Sequence, residues 1–244
     1  MRLTDINDIK KLLSRHGFRF SKSMGQNFLT AAWVPEDIAE AAQLDEDTGV
    51  LEVGPGIGCL TEQLALRAGK VVAVELDNAL RPVLSQTLAG KNNVEIIFGD
   101  VLKQDIKGLV SEKMQGLRPV VCANLPYNVT SPLITAFLEA ECFDSVTVMI
   151  QREVAKRICA KPATADYGAF TVLVNWYAEP DMLFEGTNTS FKDFVQLSSF
   201  DKSPNMGFVW IIVNNQTFCV CQGCRRISLH LKVGITLSIK YSVC

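Results

Sequence analysis

The chain has 244 residues, 48% of them hydrophobic and 20% charged, and a formal net charge of −2. This composition excludes a disordered chain, and the length suffices for one sizeable α/β domain with a small appendage. No apolar run approaches the roughly 20 residues that cross a bilayer, and Asp5 and Asp8 stand where a signal peptide would be apolar. We therefore expect a cytoplasmic protein without membrane contact.

The predicted elements begin with two helices. Apolar residues at helical spacing indicate a first helix that ends at Gly17, and Pro35 opens the second. Six Val- and Ile-rich strands then alternate with helical segments: GVLEV, KVVAVEL, NVEIIFGD, PVVCA, SVTVMI and YGAFTVLVNWY. Continuous apolar strands that alternate with helices predict an α/β fold whose mostly parallel sheet is covered by helices on both faces.

Basic residues outnumber acidic ones in the first thirty positions. Only Asp5 and Asp8 oppose the basic residues of this arm, which are Arg2, Lys10, Lys11, Arg15, Arg19 and Lys22. Such an arm could contact phosphate groups, although a solvated helix face is the commoner explanation.

A glycine-rich turn, EVGPGIGCL, joins the first strand to the helix behind it. The dinucleotide fingerprint Gly-x-Gly-x-x-Gly would need a glycine where this chain has Cys59, and Gly58 stands one residue early. The spacing therefore departs from the pyrophosphate pattern. It still forms a tight turn at which backbone can approach a ligand closely.

Two acids follow the next two strands. Glu75 ends the second strand, about twenty residues after the turn, where a carboxylate can accept from both ribose hydroxyls. Asp100 ends the third strand, where it could accept from an adenine amino group. Together with the turn, these acids indicate an adenosine-containing ligand without a diphosphate, and S-adenosylmethionine is the natural candidate.

The fourth predicted strand ends abruptly in NLPY. This could be an ordinary Asn- and Pro-marked turn. The alternative is a site at which the Asn124 carboxamide and the Leu125 carbonyl accept from an adenine amine and direct its lone pair at a methyl group. Pro126 would hold Leu125 extended, and Tyr127 would offer a flat face to an unstacked base.

Six motifs together resemble those of one enzyme family: SKSMGQNFL, LEVGPGIGCLTEQLA, VVAVELD, FGDVL, ANLPYNVTSPLI and QREVAKRI. They are similar to motifs of the small-subunit ribosomal RNA adenine dimethyltransferases, the kasugamycin-sensitivity enzymes of bacteria. The resemblance implies a Rossmann-like fold that uses S-adenosylmethionine. It also implies dimethylation of N6 of two adjacent adenines near the 3′ end of small-subunit ribosomal RNA, carried out on pre-ribosomal particles by a monomer.

The resemblance also implies individual roles. The implied cofactor-binding residues are Asn27, Leu29, Gly54, Gly56, Glu75, Asp100 and Asn124. Asn124 would also face the target amine, and Tyr127 would stack on the target base, so these two are the implied catalytic residues. For Leu29 and Gly54 the structural alternatives are packing and turn geometry, and for Asn27 a loop cap.

Three other functions are compatible with parts of this pattern. The large-subunit ribosomal RNA adenine methyltransferases of macrolide resistance share the architecture, but NLPY and the FSKSMGQNFL arm favour the small-subunit type. DNA amino-methyltransferases usually carry Pro-Pro in place of Leu125-Pro126. A non-catalytic RNA-binding or ribosome-assembly factor could retain the same fold.

The composition changes after Phe191, where the resemblance ends. Glu and Ala disappear, and Ser, Asn, Val, Phe and Cys become frequent. We therefore expect a methyltransferase domain with its basic arm at residues 1–191 and an atypical tail at 192–244 that is disordered or β-rich. The tail is either the product of a reading-frame shift near Phe191 or a genuine divergent β-rich ending. If the reading frame is shifted, the last sheet strand is either missing or imitated by FVWIIVNN. The family's C-terminal helical domain would be absent, and we expect weak or absent RNA methylation.

The eight cysteines do not indicate a metal site. Four lie in apolar or helical contexts, which favours reduced, buried thiols: Cys59, Cys122, Cys142 and Cys159. CVCQGC in the tail has His230 nearby, but no second paired cysteine motif stands at the spacing of a zinc site. We expect no bound metal.

Overall fold

The computed structural model describes residues 1–18, 29, 32–184 and 192–199, together with the strand segments 208–213, 216–221, 227–230 and 236–239. The chain forms two compact units, Met1–Phe200 and Asp201–Cys244. The first unit therefore extends beyond Phe191, the boundary suggested by composition.

The described residues of the first unit form seven strands: β1 (Thr48–Val53), β2 (Lys70–Glu75), β3 (Val94–Phe98), β4 (Arg118–Asn124), β5 (Ser145–Gln151), β6 (Ala178–Phe184) and β7 (Lys192–Ser199). They form one sheet in the order β3-β2-β1-β4-β5-β7-β6. Strands β1 to β5 pair in parallel, whereas β7 lies antiparallel between β5 and β6. The prediction of a mostly parallel sheet is confirmed.

Eight α-helices are described: α1 (Ile6–Arg15), α2 (Trp33–Ala41), α3 (Cys59–Ala65), α4 (Arg81–Thr87), α5 (Ile106–Lys113), α6 (Thr130–Glu139), α7 (Arg152–Ile158) and α8 (Ala169–Tyr177). Short 3₁₀ turns precede α4, α5 and α6 at Asn78–Leu80, Val101–Lys103 and Tyr127–Val129. None of the helices in the described part of the chain is long and apolar enough to cross a membrane.

The sheet carries a hydrophobic core on each face, because successive strand residues point to opposite sides. Helices α1 to α4 pack with Val50, Val71 and Val120 on one face. Helices α5 to α8 pack with Leu51 and Val121 on the other. The expectation of helices on both faces is therefore confirmed.

One predicted strand is wrong. The segment YGAFTVLVNWY forms helix α8, and only the following residues, from Ala178, form a strand, β6. An uninterrupted apolar run does not distinguish a buried strand from a buried helix, and tertiary packing decided here. The Gly168 N–H donates to Thr171 Oγ1 at 3.1 Å at the start of the helix, and Val174 is fully buried.

The prediction that FVWIIVNN imitates the last sheet strand is also wrong. Strand β7 takes that place, with the side chains of Val195 and Leu197 buried in the core. In the second unit, β8 (Phe208–Val213) pairs with β9 (Gln216–Cys221), and β10 (Ile227–His230) pairs with β11 (Thr236–Ile239). Both pairs are antiparallel.

Candidate functional site

A cavity of about 210 Å³ opens at the carboxyl edge of strands β1 to β4. This volume approaches the lower end, roughly 300 Å³, of small-molecule sites. Five of the predicted site residues that follow these strands line it: Gly54, Gly56, Glu75, Asp100 and Asn124. The parallel pairing of the four strands brings these residues to one edge of the sheet, as the sequence predicted.

The Glu75 carboxylate is held by backbone on both sides. Its Oε2 accepts from the Gly56 N–H at 3.1 Å, and its Oε1 accepts from the Asp77 N–H at 2.8 Å. Burial raises the pKa of Glu75, and these two hydrogen bonds oppose the rise in part. The carboxylate is therefore fixed in position at the cavity wall.

The amides of the glycine turn already have partners within the protein. The Gly54 N–H donates to the Val74 carbonyl at 3.0 Å, and the Gly58 N–H donates to the Pro55 carbonyl at 2.9 Å. A diphosphate site needs such N–H groups for its own oxygens. This turn instead supports the neighbouring strand and Glu75, which agrees with the departure from the dinucleotide fingerprint.

Asp100 follows β3 and lines the same cavity. Its Oδ1 accepts from the Leu102 N–H at 3.1 Å, and Lys103 Nζ lies 3.7 Å from its Oδ2. The side chain is one-third exposed, so this ion pair is well solvated and weak. The Asp100 carboxylate can therefore still accept a hydrogen bond from a ligand in the cavity.

The NLPY segment follows β4 and is braced at two points. The Leu125 N–H donates to the Met149 carbonyl at 3.1 Å, and Thr130 Oγ1 donates to the Pro126 carbonyl at 2.9 Å. Asn124 belongs to the cavity wall formed by the described residues, whereas Tyr127 does not. Tyr127 lies next to the wall in a 3₁₀ turn, half-buried, and burial raises its pKa.

The arm that precedes α2 is described only in part. Leu29 is buried, lines the cavity and packs in the core with α1 and α3, so its packing role and its predicted cofactor role coexist. Asn27 lies outside the described residues, and its predicted role stays a prediction.

Sequence reasoning missed Glu52. This residue stands in β1, one position before its end, is 1% exposed and lines the cavity. Burial raises the pKa of Glu52 to about 8. The nearby Thr61 hydroxyl lowers this pKa in part, and the Glu75 charge raises it further. Nevertheless, Glu52 Oε2 and Thr61 Oγ1 both lack a hydrogen-bond partner of good geometry in the described structure. The sequence feature that could have pointed to Glu52 is a charged residue within the otherwise apolar run GVLEV.

The described residues contain no cluster of three or more His, Cys, Asp or Glu side chains that could hold a metal ion. Cys59 and Cys122 are buried, as predicted, whereas Cys142 and Cys159 are only partly buried. Cys224 of CVCQGC lies outside the described residues.

Known proteins similar to this chain include ribosomal RNA methyltransferases. The curated relatives include the ribosomal RNA small subunit methyltransferase A of Alkaliphilus metalliredigens, 48% identical over 72% of this chain, and that of Shouchella clausii, 51% identical over 69%. The matches cover 62% and 57% of those relatives, so this chain spans less than two thirds of their length.

Two solved structures are similar in fold at 26% sequence identity. The 23S rRNA methyltransferase ErmE matches with a TM-score of 0.62 over 74% of this chain and 73% of its own. A dimethyladenosine transferase from Plasmodium falciparum matches with a TM-score of 0.59 over 69% and 62%. The fold is thus the Rossmann-like fold of S-adenosylmethionine-dependent methyltransferases. The family model for ribosomal RNA adenine dimethylases matches residues 17–199, and the chain belongs to that family.

Proposed function

We propose that the protein uses S-adenosylmethionine to dimethylate N6 of two adjacent adenines near the 3′ end of small-subunit ribosomal RNA. The observation that carries the proposal is the convergence of Glu75, Asp100 and Asn124 on one cavity beside NLPY. The relatives named as small-subunit methyltransferases support the small-subunit RNA over the large-subunit one.

The residues at the cavity fit the cofactor. Glu75 offers a fixed carboxylate for the ribose hydroxyls, and Asp100 offers an acceptor for the adenine amine. Leu76 and Leu102, which follow Glu75 and Asp100 closely in the chain, also line the cavity, and they are 57% and 40% exposed. They provide the apolar surface that a purine ring needs on its faces.

The cofactor supplies an electrophilic methyl group on a sulfonium, and the protein's part is to position the amine that receives it. The Asn124 carboxamide oxygen and the Leu125 carbonyl are the acceptors proposed for the two N6 hydrogens. Bracing of Leu125 by Met149 and of Pro126 by Thr130 limits movement of these acceptors. Tyr127 is proposed to stack on the base once it has left its helix.

The proposed partner is small-subunit ribosomal RNA within pre-ribosomal particles. The protein is proposed to act on these particles as a monomer in the cytoplasm. The near-neutral net charge favours an assembled particle over naked RNA. Four exposed basic residues of the arm and α1 offer phosphate contacts: Arg2, Lys10, Lys11 and Arg15. Arg19 and Lys22, the other two basic residues of the arm, lie outside the described residues.

The test is methyl transfer to immature small subunits under single-turnover conditions. Asn124→Ala should lower the rate about a hundredfold, because loss of a positioning acceptor misplaces the amine. Asn92→Ala is the matched control, since Asn92 is exposed before β3 begins, at the opposite edge of the sheet. Equal rates for the wild type and Asn124→Ala would refute the proposed role. Binding to the particle without dimethyladenosine would indicate an assembly factor instead.

A further inference from the structure

Thr130 is the first residue of α6, and its hydroxyl makes a hydrogen bond that reaches out of the helix. The side chain is 2% exposed, and its Oγ1 donates to the Pro126 carbonyl at 2.9 Å. Threonine hydroxyls in helices commonly bond to a carbonyl four residues earlier within the same helix. Here that carbonyl lies before the 3₁₀ turn Tyr127–Val129, in extended backbone. The hydrogen bond therefore ties α6 to the NLPY segment.

Pro126 connects the two groups that are proposed to hold the target base. The Leu125 carbonyl before it is the proposed acceptor for an N6 hydrogen, and Tyr127 after it carries the ring proposed to stack on the base. Because peptide bonds are planar, only φ and ψ of Pro126 separate this carbonyl from the Tyr127 backbone. The proline ring fixes φ, which is −63°. The remaining variable is ψ, which is 135°.

The direction of the Pro126 carbonyl sets this ψ angle, and two donors hold that carbonyl. The Thr130 hydroxyl donates to it at 2.9 Å, and the Val129 N–H donates to it at 3.3 Å. The second distance exceeds the usual range for an N–H donor, so the hydroxyl is the stronger of the two. Val129 and Leu133 belong to the cavity wall formed by the described residues, whereas Thr130 does not. Thr130 thus reaches the site through Pro126.

We propose that Thr130 is a positioning residue that fixes the Leu125 carbonyl relative to Tyr127. This inference rests on the proposed function, because it assumes that these two groups hold an adenine. An unmethylated N6 amine has two hydrogens, one for each proposed acceptor. After the first transfer the amine keeps one hydrogen, so the stacked ring has to supply more of the orientation. The second transfer therefore depends more strongly on Thr130 than the first.

The test compares Thr130→Val, which removes the hydroxyl at nearly constant volume, with Thr130→Ser, which keeps it. Single-turnover methyl transfer to immature small subunits, followed by mass spectrometry of the nucleosides, gives the rates and the share of N6-monomethyladenosine. Thr130→Val should slow the second transfer about tenfold to hundredfold and the first transfer less, so that monomethyladenosine accumulates. Thr130→Ser should stay within about threefold of the wild type in both rates. Thr130→Ala also lacks the hydroxyl and gives the same comparison if Thr130→Val does not fold.

Thr48→Val is the matched control for loss of a buried threonine hydroxyl. Thr48 is 0% exposed and begins β1, at the end of the strand opposite to the cavity. Its hydroxyl donates to Asp45 and accepts from Arg118. Thr48→Val should therefore destabilise the fold but leave the share of monomethyladenosine unchanged. Affinity for S-adenosylhomocysteine, the cofactor without its methyl group, should change less than about twofold in Thr130→Val, because Thr130 is not part of the cavity wall.

A second measurement needs no substrate. Without the Thr130 hydroxyl, the turn Tyr127–Val129 keeps only the long Val129 bond, so its amides should exchange hydrogen faster in Thr130→Val than in the wild type or Thr130→Ser. Equal exchange in the three proteins, wild-type rates in Thr130→Val, or a Thr130→Ser as slow as Thr130→Val would overturn the role of Thr130 and leave the proposed function intact. A wild type that transfers no methyl group to the particle would overturn both.

Discussion

Glu52 should make the stability of the ligand-free protein depend on pH in a way that Glu52→Gln abolishes. The folded protein holds the Glu52 proton with a pKa of about 8, against an ordinary value of 4.5. The unfolded chain therefore loses this proton at lower pH than the folded chain. The stabilisation from Glu52 is complete below about pH 4.5 and is lost as the pH rises towards 8.

The magnitude follows from this displacement. Each pH unit between the two pKa values changes the free energy of unfolding by about 1.4 kcal/mol. Between pH 5 and pH 7 the wild type should lose about 3 kcal/mol that Glu52→Gln keeps. A buried amide without a partner has its own penalty of about 1–3 kcal/mol, but this penalty does not depend on pH and cancels in the comparison.

Urea unfolding of both proteins at pH 5, 6, 7 and 8, without ligand, measures the effect. The difference in the free energy of unfolding between Glu52→Gln and the wild type should grow steadily in favour of the variant. Glu40→Gln, an exposed carboxylate on α2, should leave the pH dependence of the wild type unchanged. A difference for Glu52→Gln that stays constant from pH 5 to pH 7 would refute the reasoning about burial.

Two further substitutions test the turn and the acid that it supports. Glu75→Ala removes the proposed ribose acceptor and should weaken S-adenosylmethionine binding by about 1.5–3 kcal/mol in a calorimetric titration, so unchanged affinity would contradict the assignment. Gly58→Ala should destabilise the fold by about 1–3 kcal/mol in urea unfolding, because φ is +88° and the new Cβ would lie 3.1 Å from Leu88 Cδ2. Gly90→Ala has a similar φ of +82° but no atom within 4 Å of the new Cβ, so a loss as large as that of Gly58→Ala would show that crowding is unimportant.

The parallel part of the fold was predictable because its signals are local and agree with one another. Strands β1 to β5 are mostly apolar runs, each followed by a helix, and the short connections restrict the possible topologies. Because parallel strands end at the same edge of a sheet, residues at their carboxyl ends, such as Glu75 and Asn124, lie at that edge. Their convergence required no knowledge of the side-chain packing.

Helix α8 and Glu52 were not predictable in the same way. The run AFTVLVNWY is rich in residues that favour strands. It forms a helix because tertiary packing, with Val174 buried in the core, outweighs this local preference. From its spacing alone, Glu52 is an interior position of a strand. Its significance lies in the absence of a partner in the described structure, which depends on packing and not on sequence spacing.

Strand β7 gives a physical reason to place the end of the first unit after Phe200. Its residues Val195 and Leu197 are 0% and 1% exposed, and burial of such side chains contributes roughly 1.5–3 kcal/mol each. Its backbone also pairs with β5 on one side and β6 on the other. Removal of β7 would open both strand edges and lose a large part of the 5–15 kcal/mol that is typical of a domain.

Two shortened chains should therefore behave differently. A chain cut after Phe200 keeps β7 and should unfold cooperatively and bind S-adenosylhomocysteine as the full chain does. A chain cut after Phe191 loses β7 and should be poorly soluble, because the exposed edges of β5 and β6 invite pairing between molecules. Solubility, thermal unfolding and calorimetric titration of the pair measure the outcome. If the shorter chain matched the longer one in all three, β7 would be dispensable, and the boundary at Phe191 suggested by composition would be the better one.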